Sequence, residues 1–356
     1  MKIGVAGGGI FGATAAIELA RAFPAASIDL FEKHDDILRA ASSINQCRLH
    51  RGYHYPRSLS TSRACKSSVG EFCEEYQDAV VTDYDHYYCI ASENTKTSPE
   101  EFVDHCERLD LTYEQVNLDI VREDAVDLCL HVEEEQIDPI RLRELCWGRL
   151  REHGVTVNLS TVVDSVDDLD DYDYIVVATY ANINPLVPSY PDFQREYKFQ
   201  LIEKPVAEVP DRFAEKSLII LDGPFMGINP FGARDEFYFD HVVHGVRHSN
   251  IGLEPEVKGV PGEWLNDGII RSVPDTNFSK FVEHGSDFFN GIEASRHLGS
   301  KFTIRAVLPD VDDTDSRPTL VDRSDDVFVV FAGKITTCVD AANRLVTAIK
   351  TDRQVA

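Results

Sequence analysis

Three glycines near the start of the chain have the spacing of a nucleotide-binding turn. Gly7, Gly9 and Gly12 form a G-x-G-x-x-G array directly after the apolar residues of a short strand. The first glycine allows a tight turn, the second lets the backbone approach a pyrophosphate, and the third lets a helix pack on the strand. Glu32 ends a second predicted strand, where an acid accepts hydrogen bonds from ribose hydroxyls. The pattern predicts a βαβ unit that binds a nucleotide.

Positive side chains cluster in one predicted loop of a strongly acidic chain. Arg48, Arg51 and Arg57 lie within ten residues of each other, whereas the formal net charge of the chain is −26. We expect Arg48 or Arg51 to contact a pyrophosphate or a substrate anion, since a guanidinium matches both geometries. Surface salt bridges to the abundant acids are the alternative interpretation.

Histidines supply the candidate general bases, because imidazole titrates near neutral pH. His54 lies in the same loop as the arginines and is the first candidate, and His244 is a weaker one. His241, His244 and His248 have metal-like spacing, but on a strand positions 241 and 244 face opposite sides. We therefore predict no metal site.

The elements that must position these residues alternate between two patterns. A buried strand, a helix to about Phe23 and a strand over Ser27–Phe31 begin the chain. Helix-start signals follow at Ser98 and at Asp138, and a further strand is expected near 162–166. From about residue 195 to residue 246 the pattern changes to period 2, which is typical of antiparallel strands.

These patterns predict an α/β protein with two domains. The Rossmann-type nucleotide domain is assembled from discontinuous segments, 1–80, 135–185 and 300–356. An inserted α+β domain with an antiparallel sheet, 81–134 and 186–299, is expected to bind the substrate. The final strand Val327–Phe331 and a last helix return to the first domain.

Composition excludes several classes of partner. A net charge of −26 disfavours nucleic acid and anionic membranes. No apolar run is long enough to span a membrane, and no signal peptide is expected, so we predict a cytoplasmic protein. Eight cysteines without a C-x-x-C pair indicate reduced thiols. The aspartate-rich runs at 167–173 and 310–315 are predicted to be solvated loops.

Several segments together resemble the D-amino-acid oxidase (DAO) superfamily of FAD-dependent oxidoreductases. The N-terminal glycines with Glu32, the segment 136–142 and the strand 173–179 are similar to the parts of that family that bind FAD. The H-x-G-x-x-Y-P run from His50 to Pro56 resembles the L-2-hydroxyglutarate dehydrogenase group. Gly333-Lys-Ile-Thr-Thr337 instead resembles the G-K-x-T-T turn of FAD-dependent glycerol-3-phosphate dehydrogenases.

The resemblance implies FAD as the cofactor and a set of site residues. The implied cofactor-binding residues are Gly7, Gly9, Gly12, Glu32, Lys33, Ser42, Ser43, Asn45, Arg48, Val162, Ala178, Thr179, Gly333, Lys334, Ile335, Thr336 and Thr337. Arg305 lies in a segment similar to the one whose arginine holds a substrate carboxylate, and Arg317 is the second choice. Arg51, Tyr53 and Tyr55 are the other candidates for substrate binding.

The predicted activity is therefore an FAD-dependent oxidation. A CH–OH or CH–NH group beside a carboxylate or similar anion on a small molecule would lose a hydride to flavin N5. Oxygen or another acceptor would reoxidise the flavin. An NAD(P)-dependent dehydrogenase and a non-catalytic flavin-binding protein are the alternatives.

Overall fold

The structure is a computed structural model that describes residues 1–232 and 235–355. Its strands, in chain order, are β1 (Lys2–Ala6), β2 (Ser27–Phe31), β3 (Arg48–Leu49), β4 (Val80–Val81), β5 (Asp85–Ala91), β6 (Tyr113–Gln115), β7 (Val126–Val132), β8 (Glu135–Ile137), β9 (Thr156–Asn158), β10 (Tyr174–Val177), β11 (Tyr197–Glu208), β12 (Lys216–Leu221), β13 (Met226–Pro230), β14 (Phe237–His241), β15 (Val246–Gly252), β16 (Arg296–Val307), β17 (Leu320–Ser324) and β18 (Val327–Phe331). Its α-helices are α1 (Ile10–Ala22), α2 (Leu59–Tyr76), α3 (Pro99–Arg108), α4 (Pro139–Glu152), α5 (Ile183–Leu186), α6 (Phe278–Gly285) and α7 (Cys338–Val355).

A six-stranded sheet contains the start and the end of the chain. Its order is β17-β18-β10-β1-β2-β9, and its strands are parallel except that β17 runs antiparallel to β18. Strands β10 and β18 are buried along their whole length, as expected for a parallel sheet covered on both faces. Helices α1 and α7 share one core with this sheet, in which small residues of α1 such as Ala13 and Ala16 are fully buried.

A larger sheet has the order β15-β11-β14-β13-β12-β5-β7-β6, and β16 pairs with β11. Most neighbours are antiparallel, while β5 and β12 are parallel. In β11, Tyr197, Phe199 and Leu201 are buried in the core, and the residues between them point to the opposite face because side chains alternate along a strand. The mixed architecture confirms the predicted fold class.

Both predicted helix starts are confirmed. Ser98 accepts a hydrogen bond from the backbone N–H of Glu101, whose side chain accepts one from Ser98 in return. The Asp138 carboxylate accepts from the backbone of Ile140 and Arg141 at the start of α4. Such caps contribute about 1 kcal/mol each.

The prediction of a strand near 162–166 is wrong, because the structure has no strand there. The backbone of Ser160 and Thr161 donates to carbonyls of His34 and Glu32, so the chain leaves the sheet here instead of extending it. Val162 is 63% exposed as a result.

The expectation that all cysteines are reduced is also corrected. Antiparallel pairing of β5 with β7 sets Cys89 directly opposite Cys129, and the two are joined as a disulfide. The sequence separation of 40 residues concealed this pair, because only the strand register brings it together. Among the described residues, no helix combines the length and the apolar character needed to cross a bilayer.

Candidate functional site

The glycine turn between β1 and α1 leaves no room for side chains. Gly7 has a φ of +104°, a conformation that favours glycine. A Cβ on Gly12 would lie 1.9 Å from the carbonyl oxygen of Gly7. The backbone N–H of Ile10, at the start of α1, donates to Ser42 Oγ at 2.9 Å. The turn is therefore an open cradle of backbone at a helix N-terminus, which suits a phosphate group.

Glu32 is buried at the end of β2 and is held by the backbone. Its Oε2 accepts from the N–H of Gly8 at 2.7 Å, and its Oε1 accepts from the N–H of His34 at 2.9 Å. Glu32, Lys33 and Val162 line the same cavity as the glycine turn. A carboxylate fixed in this way can accept further hydrogen bonds from hydroxyl groups.

A buried ion pair joins Arg48 of β3 to Glu134, which precedes β8. Arg48 Nε donates to Glu134 Oε2 at 3.0 Å, and both side chains have no exposed surface. Tyr88 OH and the backbone N–H of Arg51 also donate to this carboxylate, at 2.9 Å each. Burial raises the pKa of Glu134, but the charge of Arg48 and the proximity of His50 outweigh it and lower the pKa to about 2.

Among the described residues, the outer nitrogens of Arg48 have no hydrogen-bond partner. Nη1 and Nη2 are buried without a hydrogen bond to any described residue, and Arg48 lines the cavity. An unpaired buried donor costs about 1–3 kcal/mol. The guanidinium is therefore prepared to donate to an anion or a carbonyl oxygen in the cavity.

Two histidines of the following loop are neutral near physiological pH. Desolvation lowers the pKa of His50 to about 4 and lowers that of His54 well below its ordinary value. Their rings lie 4.8 Å apart, and both line the cavity. His54 Nδ1 has no hydrogen bond to a described residue, so it is an available proton acceptor or donor site.

Lys334 enters the cavity from the turn before α7. Its Nζ lies 4.3 Å from the centroid of the Tyr55 ring. Burial alone lowers the pKa of Lys334 to about 7, so this amine can gain or lose its proton near neutral pH. A Cβ on the preceding Gly333 would lie 2.4 Å from the carbonyl oxygen of Arg317, which requires glycine at this position.

Arg305 is held by a neutral partner. Its Nε and Nη2 donate to Gln200 Oε1 at 2.9 and 2.6 Å, and the two residues are direct neighbours on β16 and β11. Arg317 instead forms an ion pair with Asp315. Desolvation and the nearby Arg317 lower the pKa of Arg305, which nevertheless keeps its charge at neutral pH.

Most of the predicted site residues meet in one cavity of about 990 Å³. The predicted residues that line it are Gly7, Gly9, Glu32, Lys33, Ser42, Asn45, Arg48, His54, Tyr55, Val162, Ala178, Thr179, Arg305, Arg317, Gly333, Lys334 and Ile335. Gly12 lies directly behind the turn. Ser43, Thr336 and Thr337 are not part of the lining, and Thr337 Oγ1 is engaged with Thr319 and with the carbonyl of Lys334.

The structure places Arg51 and Tyr53 outside the cavity lining. Arg51 forms a bidentate ion pair with Glu135, which agrees with the alternative interpretation that these arginines form salt bridges to nearby acids. Tyr53 is buried in the core, stacks on Tyr88 and donates its OH to the carbonyl of Thr112 at 2.6 Å. The structure therefore does not bring Arg51 and Tyr53 together with the predicted residues that line the cavity.

His244 is likewise not part of the cavity lining. Residues 242–245 form a turn, not a strand, because the N–H of Gly245 bonds back to the carbonyl of His241. The expectation that positions 241 and 244 face opposite sides is therefore wrong. The turn brings the nitrogens of His241, His244 and His284 within 4.8 Å of one another. His241 Nδ1 accepts two backbone N–H bonds, so its Nε2 carries the proton and faces His284 Nδ1.

Three residues that shape the site, Glu134, Tyr88 and Gln200, were not predicted from the sequence. Glu134 belongs to a run of three glutamates that suggests a solvated loop. Gln200 lies at an outward-facing position of β11, where a polar residue usually faces water. The available sequence signal was the alternation of β11, which sets Gln200 on the same face as Lys198 and Ile202. In the structure all three residues line the cavity.

A family model described as FAD dependent oxidoreductase (DAO) matches residues 2–215. FAD-dependent monooxygenase kojA of Aspergillus flavus is 29% identical over 177 residues, which are 48% of this chain and 41% of that protein. The chain therefore aligns with about two fifths of that relative's length. FAD-dependent monooxygenase FPY4 of Fusarium mangiferae is 23% identical over 368 residues, covering 98% of this chain and 91% of that protein.

Glycine oxidase from Geobacillus kaustophilus has a similar solved structure. The TM-score is 0.70 at 14% identity, and the match covers 99% of this chain and 94% of the other. At this level of identity the likeness concerns the fold.

Proposed function

The chain belongs to the DAO family of FAD-dependent oxidoreductases, and we propose that it oxidises a CH–OH or CH–NH group next to a carboxylate or similar anion on a small molecule. The predicted cofactor, FAD, is confirmed by the family match. FAD held by the glycine turn, Glu32 and Arg48 would supply the hydride acceptor for this oxidation, its N5 atom. The observation that carries the proposal is the convergence of the glycine cradle, the unpaired guanidinium edge of Arg48 and Arg305 on one cavity.

The residues present fit a flavin dinucleotide. A Cβ at Gly7 or Gly12 would collide with the backbone of Ala178 or Gly7 and would distort the turn that the phosphates need, and Glu32 offers a carboxylate for the ribose. The buried Nη atoms of Arg48 lack partners that a polar cofactor group would supply. We assign FAD to the segments 1–80, 135–185 and 300–356, and the substrate to 81–134 and 186–299 together with Arg305, which lies on β16 next to β11 of the larger sheet.

In this proposal Arg305 orients the substrate through its anionic group. The guanidinium is pre-positioned, because Gln200 holds two of its nitrogens. No carboxylate lies within 4.0 Å of Arg305 among the described residues, so its charge is available to a ligand. The β11–β16 pair makes the anchor rigid, since both residues lie inside paired strands.

His54 is the proposed acceptor of the substrate O–H or N–H proton. It is neutral near physiological pH, and its Nδ1 has no hydrogen bond to any residue that the structure describes. A nearby negative charge on the substrate would raise its pKa and make it a stronger base. Lys334, whose pKa is lowered to about 7 by burial, is the second group able to take this proton.

The proposal is tested by the absorbance spectrum of the purified holoenzyme during anaerobic addition of 2-hydroxy acids and 2-amino acids. A flavin spectrum that bleaches with one class identifies the oxidised bond. Arg305→Met should then raise KM by about 100-fold or more, as expected for the loss of a charged bidentate contact. Arg296→Met is the matched control, because Arg296 lies on the same strand but is exposed. An unchanged KM in Arg305→Met would remove Arg305 from this role.

Oxygen insertion is a second candidate, because two relatives carry the name FAD-dependent monooxygenase. The two reactions differ in their need for an external reductant. Dehydrogenation supplies its own electrons from the substrate, whereas insertion of one oxygen atom from O2 consumes two further electrons. Turnover in the absence of NADH and NADPH, with hydrogen peroxide as the product, would favour dehydrogenation.

A further inference from the structure

The cations that line the cavity differ in whether this chain already neutralises them. Most of its lysines and arginines form an ion pair with a carboxylate within 4.0 Å. Among the described residues, the exceptions are Lys33, Arg305 and Lys334. Lys33 follows Glu32 at the nucleotide end, and Lys334 belongs to the turn before α7. Arg305 is thus the unpaired arginine at the proposed substrate end.

Two cations near Arg305, Lys198 and Arg317, form ion pairs with aspartates of one acidic loop, residues 310–316. Lys198 follows the same face of β11 as Gln200 and lies about 7 Å from it. Its Nζ contacts both oxygens of Asp312 at 2.9 and 2.7 Å. Arg317 is paired with Asp315, which is only 25% exposed. The aspartate run predicted to be solvated is therefore partly folded over the cavity.

The loop is fixed in this position by further contacts. Arg57 donates to the backbone carbonyls of Asp312 and Asp313, and Lys96 donates to the carbonyl of Asp312 at 3.2 Å. The loop thus binds Arg57, Lys96 and Lys198 through its backbone and side chains, so these cations are not available to a second anionic group of a ligand. A second carboxylate would meet Asp312 or Asp315 at close range, and like charges there repel.

We propose that this cavity selects substrates with a single negative charge, and that Asp312 and Asp315 impose this selectivity by occupying Lys198 and Arg317. The inference rests on the proposed function, in which Arg305 binds the substrate anion. It argues against dicarboxylates such as 2-hydroxyglutarate, although the H-x-G-x-x-Y-P run resembles the enzymes that use that compound. The favoured ligand class is a monocarboxylate or another monoanion.

The test compares two probes of equal chain length, pentanoate and glutarate, on the FAD-loaded protein. Their Kd values are measured by calorimetry and by the change in flavin absorbance. The wild-type protein should bind pentanoate at least about tenfold more tightly than glutarate, a difference of about 1.4 kcal/mol. Equal affinity for the two probes would overturn the inference.

Variants of the loop make the test specific. Asp315→Asn frees Arg317 and should improve the glutarate-to-pentanoate affinity ratio by about tenfold. Asp312→Asn frees Lys198 in the same way. Because the side chain of Asp312 is 71% exposed, this variant should fold even if Asp315→Asn does not. Asp310→Asn is the control, because it makes the same charge change at an exposed position without an ion pair to a described residue. An unchanged ratio in both loop variants would refute the assignment.

A further variant separates this inference from the proposed function. If Arg305→Met binds pentanoate as tightly as the wild type, the proposed anion anchor is wrong. If Arg305→Met loses pentanoate but the loop variants do not change the ratio, the anchor stands and the charge selection fails. Binding of neither probe to the wild type would overturn both.

Discussion

Replacing Lys334 by methionine should stabilise the apoprotein and remove part of its pH dependence. Lys334 is buried, its Nζ lies over the Tyr55 ring, and no described carboxylate lies within 4.0 Å. Burial lowers the pKa of Lys334 from 10.5 to about 7, so the amine binds a proton less tightly in the folded protein than in the unfolded chain. Since one pKa unit corresponds to about 1.4 kcal/mol, the buried amine destabilises the folded protein by at most roughly 5 kcal/mol at pH 6.

The sign of the pH effect follows from proton binding. Between pH 7 and pH 10.5 the unfolded chain binds more protons at Lys334 than the folded protein does. The stability of the wild type relative to Lys334→Met must therefore rise with pH through this window, by about 2.5 kcal/mol between pH 6 and pH 9. At about pH 6 and below, Lys334 is protonated in both states and the destabilisation is complete.

The assay is denaturant unfolding of FAD-free protein at pH 6, 7, 8 and 9. Lys350→Met is the matched control, because it makes the same change of side chain on the exposed face of α7. If the difference between wild type and Lys334→Met is the same at pH 6 and pH 9, the buried amine does not carry the perturbed pKa. The same variant should lose activity if Lys334 takes part in proton transfer.

Three further substitutions test the cradle and the buried pair. Gly12→Ala should abolish FAD binding and destabilise the fold by about 3 kcal/mol or more, because its Cβ would overlap the Gly7 carbonyl; fluorescence of released flavin measures the first effect. Glu134→Gln should cost about 3–5 kcal/mol in denaturant unfolding at pH 7, since it leaves the Arg48 charge buried without its partner. Glu32→Gln should weaken FAD binding about tenfold in a titration, because an amide cannot replace both carboxylate acceptors.

Matched variants control for the chemistry of each change. Gly148→Ala in α4 introduces the same methyl group where nothing lies within 4 Å, so it should bind FAD normally and gain about 0.5–1 kcal/mol of stability. Glu152→Gln removes a charge from the exposed end of α4 and should change stability by less than about 0.5 kcal/mol. Flavin retention by Gly12→Ala, or full stability of Glu134→Gln, would contradict the reasoning.

Contacts between residues close in sequence could be predicted from the chain alone. The strand, the glycine turn, α1, β2 and Glu32 follow one another, so their spacing determined both the local fold and the nucleotide site. Ser98 and Asp138 cap the helices they precede for the same reason. Arg305 and Lys334 lie in segments that resemble the DAO family, and both line the cavity.

Pairings between distant residues were decided by the tertiary structure. Arg48 meets Glu134 across 86 residues, and Arg305 meets Gln200 across 105. With 61 acidic and 35 basic residues, the sequence does not indicate which acid neutralises which base. Burial decides the protonation states, because the folded environment lowers the pKa of His54 well below its ordinary value and that of Lys334 to about 7. The sequence by itself determined the nucleotide-binding unit and the residue types available for chemistry, and only the packing of the two sheets determined which charges remain free.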